Sequence, residues 1–430
     1  MGESEVDVLA RYSREPDLVP PAADPADEFL RLACLTYGDE DGPERWAAAR
    51  QVLAEHPEIG ASGIHTAAAV VDPAAVRRLL AADGALAGQQ GGPFRWEPLC
   101  YLAYARHDPE VAEDAVLETA RLLLAHGADP NAGYLWHGLP TPFTALTGVL
   151  GNGERGTAAQ PRHPHWVVLA RMLLAAGADP NDGQGLYNRM FTPDDGHLEL
   201  LFEYGLGTGT GGPWRARLGA AAESPAQLLR RQLYWAVTHG LADRVRLLGR
   251  HGTDLSTPFD DGRTPAELAA VTGHPGVAAE LAPDGGLELT PADGLIAAAL
   301  AADRAAVDAI LAAAPDAAEA ARAQRPGLVV WAAATGRTGA VALLADLGFD
   351  INAMSRGDVP VEQPWQTALH EAAGDGNVEL ARLLLDLGAD PDRRDARFDA
   401  TPLGWAGHLG QPALVDLLTP VTTAGEPPRA

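Results

Sequence analysis

Side chains that could recognise a ligand are concentrated between residues 131 and 226 of the chain. They are Tyr134, Trp136, His137, Tyr187, Arg189 and Trp214. Tyr, Trp and Arg give a large contact area for little lost rotamer freedom, and they are enriched among the residues that dominate protein interfaces. The same side chains except Trp214, with Asp194, could instead wall a small-molecule pocket. A third interpretation also stays open, in which the aromatic rings fold back and cover the core beneath long loops.

Three motifs in this region resemble sites for phosphate groups or metal ions. Residues 151–156 match G-x-G-x-x-G, but they follow a helical pattern instead of a strand, so a dinucleotide site is not expected. The glycine-rich residues 207–212 lack both a Lys and a flanking strand, which favours a flexible loop. His163 and His165 precede Asp194 and His197, but spacing alone does not supply the fixed geometry of a metal site. We expect no metal, no cofactor and no catalytic residue, and therefore binding in preference to catalysis.

The overall charge of the chain restricts its partners. The formal net charge is -26, from 58 acidic and 32 basic residues, and every basic residue is Arg, which excludes a Lys nucleophile. An acidic surface repels phosphate backbones and anionic lipids, so neither nucleic acid nor a membrane is an expected partner. Cys34 and Cys100 lie far apart in helical patterns, and no apolar run approaches the ~20 residues of a membrane span. These features predict a cytoplasmic protein without disulfides.

The elements that must position these side chains follow an internal repeat. In its clearest copy, residues 367–373 read T-A-L-H-E-A-A and residues 383–390 read L-L-L-D-L-G-A-D. This pattern closely resembles the ankyrin repeat, which begins T-x-L-H-x-A-A and ends L-L-L-x-x-G-A-D. The next copy begins at Thr401-Pro402-Leu403, and 34 residues separate Leu369 from Leu403. That distance is close to the ~33 residues of the family.

The resemblance implies an all-α fold, an ankyrin-repeat solenoid of stacked antiparallel helix pairs joined by β-turn finger loops. The same apolar position recurs about eleven times, at Leu30, Ile64, Leu99, Leu146, Leu186, Leu233, Ala266, Leu295, Val329, Leu369 and Leu403. Residues 28–420 would then form the array, with insertions near 131–143, 151–165 and 205–226 that project as loops. Residues 1–27 are acidic and Pro-rich and are expected to be flexible, and residues 421–430 form a tail.

Several local features of the repeat have a physical reason. Thr264 can cap a helix that begins at Pro265, and Glu267 completes a capping box. Gly388 suits the left-handed residue that ends a helix. His370, and likewise His65, occupies the histidine position of the repeat. In ankyrin proteins the imidazole at this position bonds locally at the helix start. Trp235, Trp331 and Trp405 follow the position of that histidine, where the family keeps an apolar framework residue, so we expect them in the core.

By the same resemblance, the chain is expected to bind another protein through its concave groove and its central insertion loops. The residues before each inter-helix turn normally face that groove, which makes Tyr104 and His239 its best contact candidates. The partner-binding residues predicted from sequence are thus the six central side chains together with Tyr104 and His239. The alternative function is a small-molecule-binding protein or an enzyme, with a pocket formed by the central aromatic loops.

Overall fold

A computed structural model describes residues 5–425. The chain forms two compact units. Unit 1 extends to Gln232 and includes Arg250–Thr253, and unit 2 comprises Leu233–Gly249 and the chain from Asp254 onwards. Helix accounts for 56% of the structure and strand for 4%, which agrees with the expected all-α class.

Helices follow one another through the described residues. Those up to residue 218 are α1 (Glu5–Tyr12), α2 (Pro25–Ala33), α3 (Pro43–Glu55), α4 (Ile64–Val70), α5 (Pro73–Ala82), α6 (Pro98–Tyr104), α7 (Glu113–Ala125), α8 (Ala145–Leu150), α9 (Gly156–Ala159), α10 (Trp166–Ala175), α11 (Gly183–Met190), α12 (Gly196–Glu203) and α13 (Gly212–Leu218). The others are α14 (Pro225–Thr238), α15 (Ala242–Arg250), α16 (Pro265–Val271), α17 (Pro275–Leu281), α18 (Pro291–Leu300), α19 (Arg304–Ala313), α20 (Ala317–Gln324), α21 (Leu328–Ala334), α22 (Thr338–Asp346), α23 (Ala368–Gly374), α24 (Val378–Asp386), α25 (Pro402–His408) and α26 (Pro412–Leu418). The longest connections between these helices lie between α7 and α8 and between α22 and α23.

In unit 2, the later helices pack as a stack of pairs. Each of α18, α21, α23 and α25 packs on the helix that follows it, and α21 packs on α23 as α23 does on α25. The second helices of the pairs form their own row, from α22 through α24 to α26. Leu384 of α24 is fully buried in this stack. The predicted arrangement of stacked helix pairs is therefore present in this part of the chain.

Unit 1 has a similar row of short helices and, in addition, a small sheet. Helices α2, α4, α6, α8 and α11 each pack on the next one in that order. The eleven aligned apolar positions, in both units, all lie within helices. The three strands are β1 (Ser13–Arg14), β2 (Gly133–Trp136) and β3 (Pro142–Thr144), in the order β1-β2-β3. β1 is parallel to β2, and β2 is antiparallel to β3.

The central insertions and the N-terminal segment differ from their expected state. Residues 133–144 form the β2–β3 hairpin, and the other two insertions contain α9 and α13. None of the three is simply a projecting loop. Residues 1–27 were expected to be flexible, but their described part forms α1 and β1, with Val8 fully buried. The start of the segment, residues 1–4, lies outside the described residues. The N-terminal segment differs from the expectation because its apolar side chains pack on the insertions, and local composition does not reveal such distant partners.

The helix ends in unit 2 confirm the local predictions. Thr264 Oγ1 accepts from the Glu267 amide at 3.2 Å, and the Glu267 carboxylate accepts from the Thr264 amide at 2.8 Å, with Pro265 first in the helix. Gly388 adopts the left-handed region with φ of 91°. His370 Nδ1 lies 2.8 Å from Thr367 Oγ1, so its imidazole bonds at the start of its own helix. These contacts fix where each helix begins and ends, and therefore where the finger loops between them emerge.

Candidate functional site

Tyr104 and Tyr134, two of the residues predicted to contact a partner, are core residues of unit 1. Both side chains are fully buried. Tyr134 stacks on Trp96 with ring centroids 4.8 Å apart, and Tyr104 Oη donates to the Thr144 carbonyl at 2.8 Å. Burial raises the pKa of both phenols well above the ordinary value, so both stay neutral. The prediction that Tyr104 lines an open groove is wrong, because the β2–β3 hairpin covers it.

Trp136 and His137 lie at the edge of the hairpin and hold other parts of unit 1 in place. Trp136 is half-buried, and its Nε1 donates to the Thr36 carbonyl at 3.1 Å. His137 Nε2 lies 2.8 Å from the Asp17 carboxylate. The ring centroids of Trp136 and His137 are 4.2 Å apart. The structure thus brings these two residues together, but as contacts to segments of the same chain.

Trp214, also predicted to contact a partner, lies beneath the N-terminal helix. Its side chain is buried, and its Nε1 donates to the Asn131 carbonyl at 2.9 Å. The ring of Tyr12 packs edge-on against it, with centroids 5.0 Å apart. The interpretation in which Trp214 covers the core therefore matches the structure.

Tyr187 and Arg189 lie on α11 and contact acidic residues of the neighbouring insertion and turn. Tyr187 Oη bonds to Glu154, and Arg189, which is fully buried, donates to Asp194 at 3.0 Å. Burial alone would raise the pKa of Asp194, but the Gly196 amide and Arg162 outweigh it and lower that pKa. Arg189 therefore belongs to an internal ion-pair network and is not an open contact residue.

His239, the second predicted groove residue, lies in unit 2 beneath a finger loop of that unit. It stacks on Trp235 with ring centroids 3.7 Å apart, and its Nε2 lies 3.0 Å from the Asp358 carbonyl. Burial lowers the pKa of His239, so the ring is neutral at pH 7. Gly357 approaches α21 and α23 so closely that a Cβ there would collide with Glu371 and Ala334. The chain's own loop thus fills the groove at His239, where a partner was expected.

The motifs that suggested phosphate or metal sites have structural roles. Asn152, inside the G-x-G-x-x-G match, is buried, and its amide side chain donates to the Gln160 carbonyl at 2.8 Å. His163 is buried, and burial lowers its pKa well below the ordinary value. Among residues 5–425, no group of three or more His, Cys, Asp or Glu side chains is placed to hold a metal ion. No helix in the described part of the chain is both long and apolar enough to cross a membrane.

A different cluster of aromatic and basic side chains remains exposed, on the finger loops of unit 2. We call it the arginine–aromatic surface, and it consists of Arg356, Trp365, Arg397, Phe398, Trp405 and Leu409. Phe398 is 57% exposed and Leu409 is 51% exposed. The Arg356 and Arg397 guanidinium groups lie 4.5 Å and 4.9 Å from the Trp365 ring centroid. Such cation–π contacts hold the indole and both cations in a fixed arrangement.

A buried carboxylate builds the finger that carries this surface. Asp395 is 3% exposed, and it accepts from the amides of Arg397 at 2.8 Å, Phe398 at 2.6 Å and Ala400 at 3.1 Å. It also accepts from Trp405 Nε1 at 3.0 Å. Burial opposes the charged form, but these donors outweigh it and lower the pKa of Asp395, which stays ionised. Phe398 lies in this turn with its ring exposed to solvent.

The surface continues from the fingers onto helix α25. The Ala396 amide donates to the Trp365 carbonyl at 2.7 Å, which joins the two fingers. Phe398 and Trp405 have ring centroids 6.4 Å apart. Trp405 and Leu409 both lie against Gly374 of α23. The expectation that Trp331 is a core residue is confirmed, but Trp235 and Trp405 are only half-buried, and Trp405 forms part of this surface.

Sequence reasoning missed the arginine–aromatic surface because it looked for insertions. The finger at residues 390–399 reads D-P-D-R-R-D-A-R-F-D, and it has the ordinary length for the repeat. The composition of this finger indicated the surface, because an aromatic residue beside several Arg in a finger has no helix against which to pack. Trp365, at the end of the preceding finger, carried the same signal.

The part of the chain that bears this surface matches a known family. Residues 294–395 and 329–424 match the family described as Ankyrin repeats (3 copies). Residues 294–424 therefore contain ankyrin repeats, as the pattern at 367–390 predicted. The count of about eleven repeats stays a prediction. No curated protein matches the chain in sequence.

Proposed function

We propose that this ankyrin-repeat protein binds another protein through the arginine–aromatic surface, with Arg397 and Phe398 at its centre. Ankyrin repeats are generally protein-interaction modules. The single observation that carries the proposal is the exposure of Phe398 beside a Trp held between two Arg side chains. Trp and Arg are enriched among interface hot spots, and aromatic residues are over-represented in interfaces generally.

The physical properties of the surface indicate what it gains from a partner. Covering an exposed aromatic side chain such as Phe398 is worth about 1.5–3 kcal/mol. Arg397 forms no ion pair within the described part of the chain, so its guanidinium can donate to a carboxylate of a partner. The cation–π contacts and the Asp395 turn fix the contact residues before binding, which lowers the entropy cost of association. The fitting partner is a protein segment with an apolar side chain next to an acidic one.

The other surfaces suggested by the sequence have less support. The groove at His239 holds residues of the chain's own finger, and Tyr104, Tyr134, Arg189 and Trp214 are buried. The cavity beside Trp214 has a volume of about 60 Å³. Pockets for drug-sized ligands are roughly 300–1,000 Å³, so this cavity does not support a small-molecule function.

The experiment compares capture and affinity for the double variant Arg397→Ala, Phe398→Ala with those of the wild type. A matched control is Val167→Ala, because Val167 is also an exposed apolar residue, but it lies in unit 1. We expect proteins retained from a native lysate by wild type and control to be lost with the double variant. With the purified partner, the Kd should rise about 30-fold or more, as removal of a hot spot of ~2 kcal/mol implies. Equal retention and equal Kd for all three proteins, with unchanged thermal unfolding, would refute the proposal.

A further inference from the structure

The N-terminal helix of unit 1 covers an apolar surface on the central insertions. Val8 and Tyr12, one helical turn apart, pack against Leu135 of the hairpin and Trp214 of α13. Leu218 and Ala222 complete the same buried cluster. Val8 is fully buried and Tyr12 is nearly so. Without α1, these apolar side chains of the insertions would face solvent.

The segment after the helix continues this contact along the edge of the sheet. Ser13 and Arg14 pair in parallel with Leu135 and Trp136. The His137 amide donates to the Arg14 carbonyl at 2.8 Å, and the His137 ring meets Asp17 at 2.8 Å. Residues 5–18 therefore use the two means by which a peptide commonly binds a protein, a helix in an apolar groove and a strand added to a sheet edge.

The resident segment fits this surface incompletely at Arg14. That side chain is buried, it forms no ion pair with a carboxylate of the described residues, and its Nε finds no hydrogen-bond acceptor there. Burial, and then the nearby Arg95, lower the pKa of Arg14. A buried cation without a counter-charge destabilises the contact that holds it. The segment thus carries a local cost that a different peptide would not have.

Two further features point the same way. The part of α1 that the structure describes has 8 residues, and isolated helices shorter than about 12 residues are marginal in water. The cavity of about 60 Å³ is lined by Trp214 and Ala222, which also belong to the cluster under α1. No described side chain of residues 5–18 lines that cavity, so the segment does not fill it.

We propose that residues 5–18 are an internal ligand that covers a second protein-binding surface, formed by the central insertions. Its external ligand is a protein segment with an amphipathic helix, whose apolar residues are four apart, followed by an extended stretch. That segment competes with residues 5–18, which act at the millimolar effective concentration typical of a short tether. This surface lies in unit 1, so the inference is independent of the function proposed for unit 2.

The test uses a fluorescent synthetic peptide of residues 1–20 as the probe and the full chain as the receptor. In one receptor, Val8→Asp with Tyr12→Ala releases the segment. In the control receptor, Leu18→Ala changes a residue of the same segment that is 64% exposed. Fluorescence anisotropy should show binding to the released variant at least 10-fold tighter than to wild type or control. A probe with Tyr12→Ala should not bind. Hydrogen exchange should show residues 5–14 protected in wild type and open in the released variant.

Folding is checked separately, so that every outcome decides the question. If the released variant is folded and does not bind the probe, or if wild type binds equally well, the inference is wrong. If the variant unfolds, a protease site placed between Pro20 and Pro21, which are both exposed, replaces it. After cleavage, the freed segment should exchange with the labelled probe on a folded wild-type body. Failure to exchange would likewise overturn the inference, since the segment would then be a permanent part of the core.

Discussion

The substitution Asp395→Ala tests how the finger that carries Phe398 is built. The carboxylate accepts four hydrogen bonds, from three backbone amides and the Trp405 indole. Hydrogen bonds to a charged group are worth about 1.5–3 kcal/mol each, but water reaches the partly buried donors once the side chain is gone. We therefore expect a total loss of about 2–4 kcal/mol in the free energy of opening this finger.

The conservative variant Asp395→Asn should also destabilise the finger. One carboxylate oxygen serves Arg397 and Phe398, and the other serves Ala400 and Trp405. An Asn side chain offers one acceptor and places its own NH₂ against two of those donors. We expect a loss of about half that of the Ala variant, since one oxygen still accepts two hydrogen bonds.

The assay is hydrogen exchange at the amides of Arg397, Phe398 and Ala400, with urea unfolding followed in parallel. The control is Asp399→Asn, because the Asp399 side chain is mostly exposed and Asn, like Asp, tolerates its left-handed φ of 52°, so stability should change by less than about 0.5 kcal/mol. In wild type, the lowered pKa of Asp395 stabilises the fold fully above the unfolded-state pKa of about 3.9, and this contribution is lost as pH falls through the folded-state pKa. Exchange at the three amides that is the same in Asp395→Ala as in wild type would refute this account of the finger.

Three other predictions concern packing, the insertions and pH. Leu384→Ala should cost about 2–5 kcal/mol in chemical unfolding because Leu384 is fully buried, whereas Leu409→Ala should leave the unfolding midpoint nearly unchanged. Deleting residues 151–165 should lower the melting temperature of unit 1, because Arg106, which is buried, donates to the Pro161 carbonyl at 2.9 Å; an unchanged melting curve would mean that the insertion is dispensable. Burial raises the pKa of Glu371 to about 7, so folding should weaken as pH rises from the unfolded-state pKa of about 4.3 towards 7 and then level off. Glu371→Gln should flatten that decline in urea titrations, and an equally steep decline in the variant would contradict the assignment.

The repeat itself could be predicted from sequence because its signals are local. Thr264 and Glu267 lie within one turn, as do Thr367 and His370, and Gly388 follows its helix directly. Such contacts depend only on a few neighbouring residues and on backbone geometry, so the local sequence is enough to predict them. The family match over residues 294–424 confirms this part of the prediction.

The burial of the central side chains could not be predicted, because these residues find partners far away in the chain. Trp136 bonds to Thr36, one hundred residues earlier, and Trp214 packs against Tyr12. A ring in an insertion has the same local sequence whether it faces solvent or meets such a partner. The N-terminal segment was interpreted from its charge and Pro content alone, and its apolar residues Val8 and Tyr12 were overlooked. The burial of the central aromatic rings follows from that contact and from the hairpin.

Site-directed photo-cross-linking tests the central claim, that the arginine–aromatic surface binds a protein partner, most directly. A photoreactive phenylalanine analogue is placed at position 398, and in a second protein at the exposed position of Val167. The claim predicts a discrete cross-linked protein from residue 398 that is absent from residue 167 and is lost when Arg397→Ala is added. Cross-links of equal yield from both positions, or none from residue 398 in a cell extract that retains wild-type binding, would contradict it.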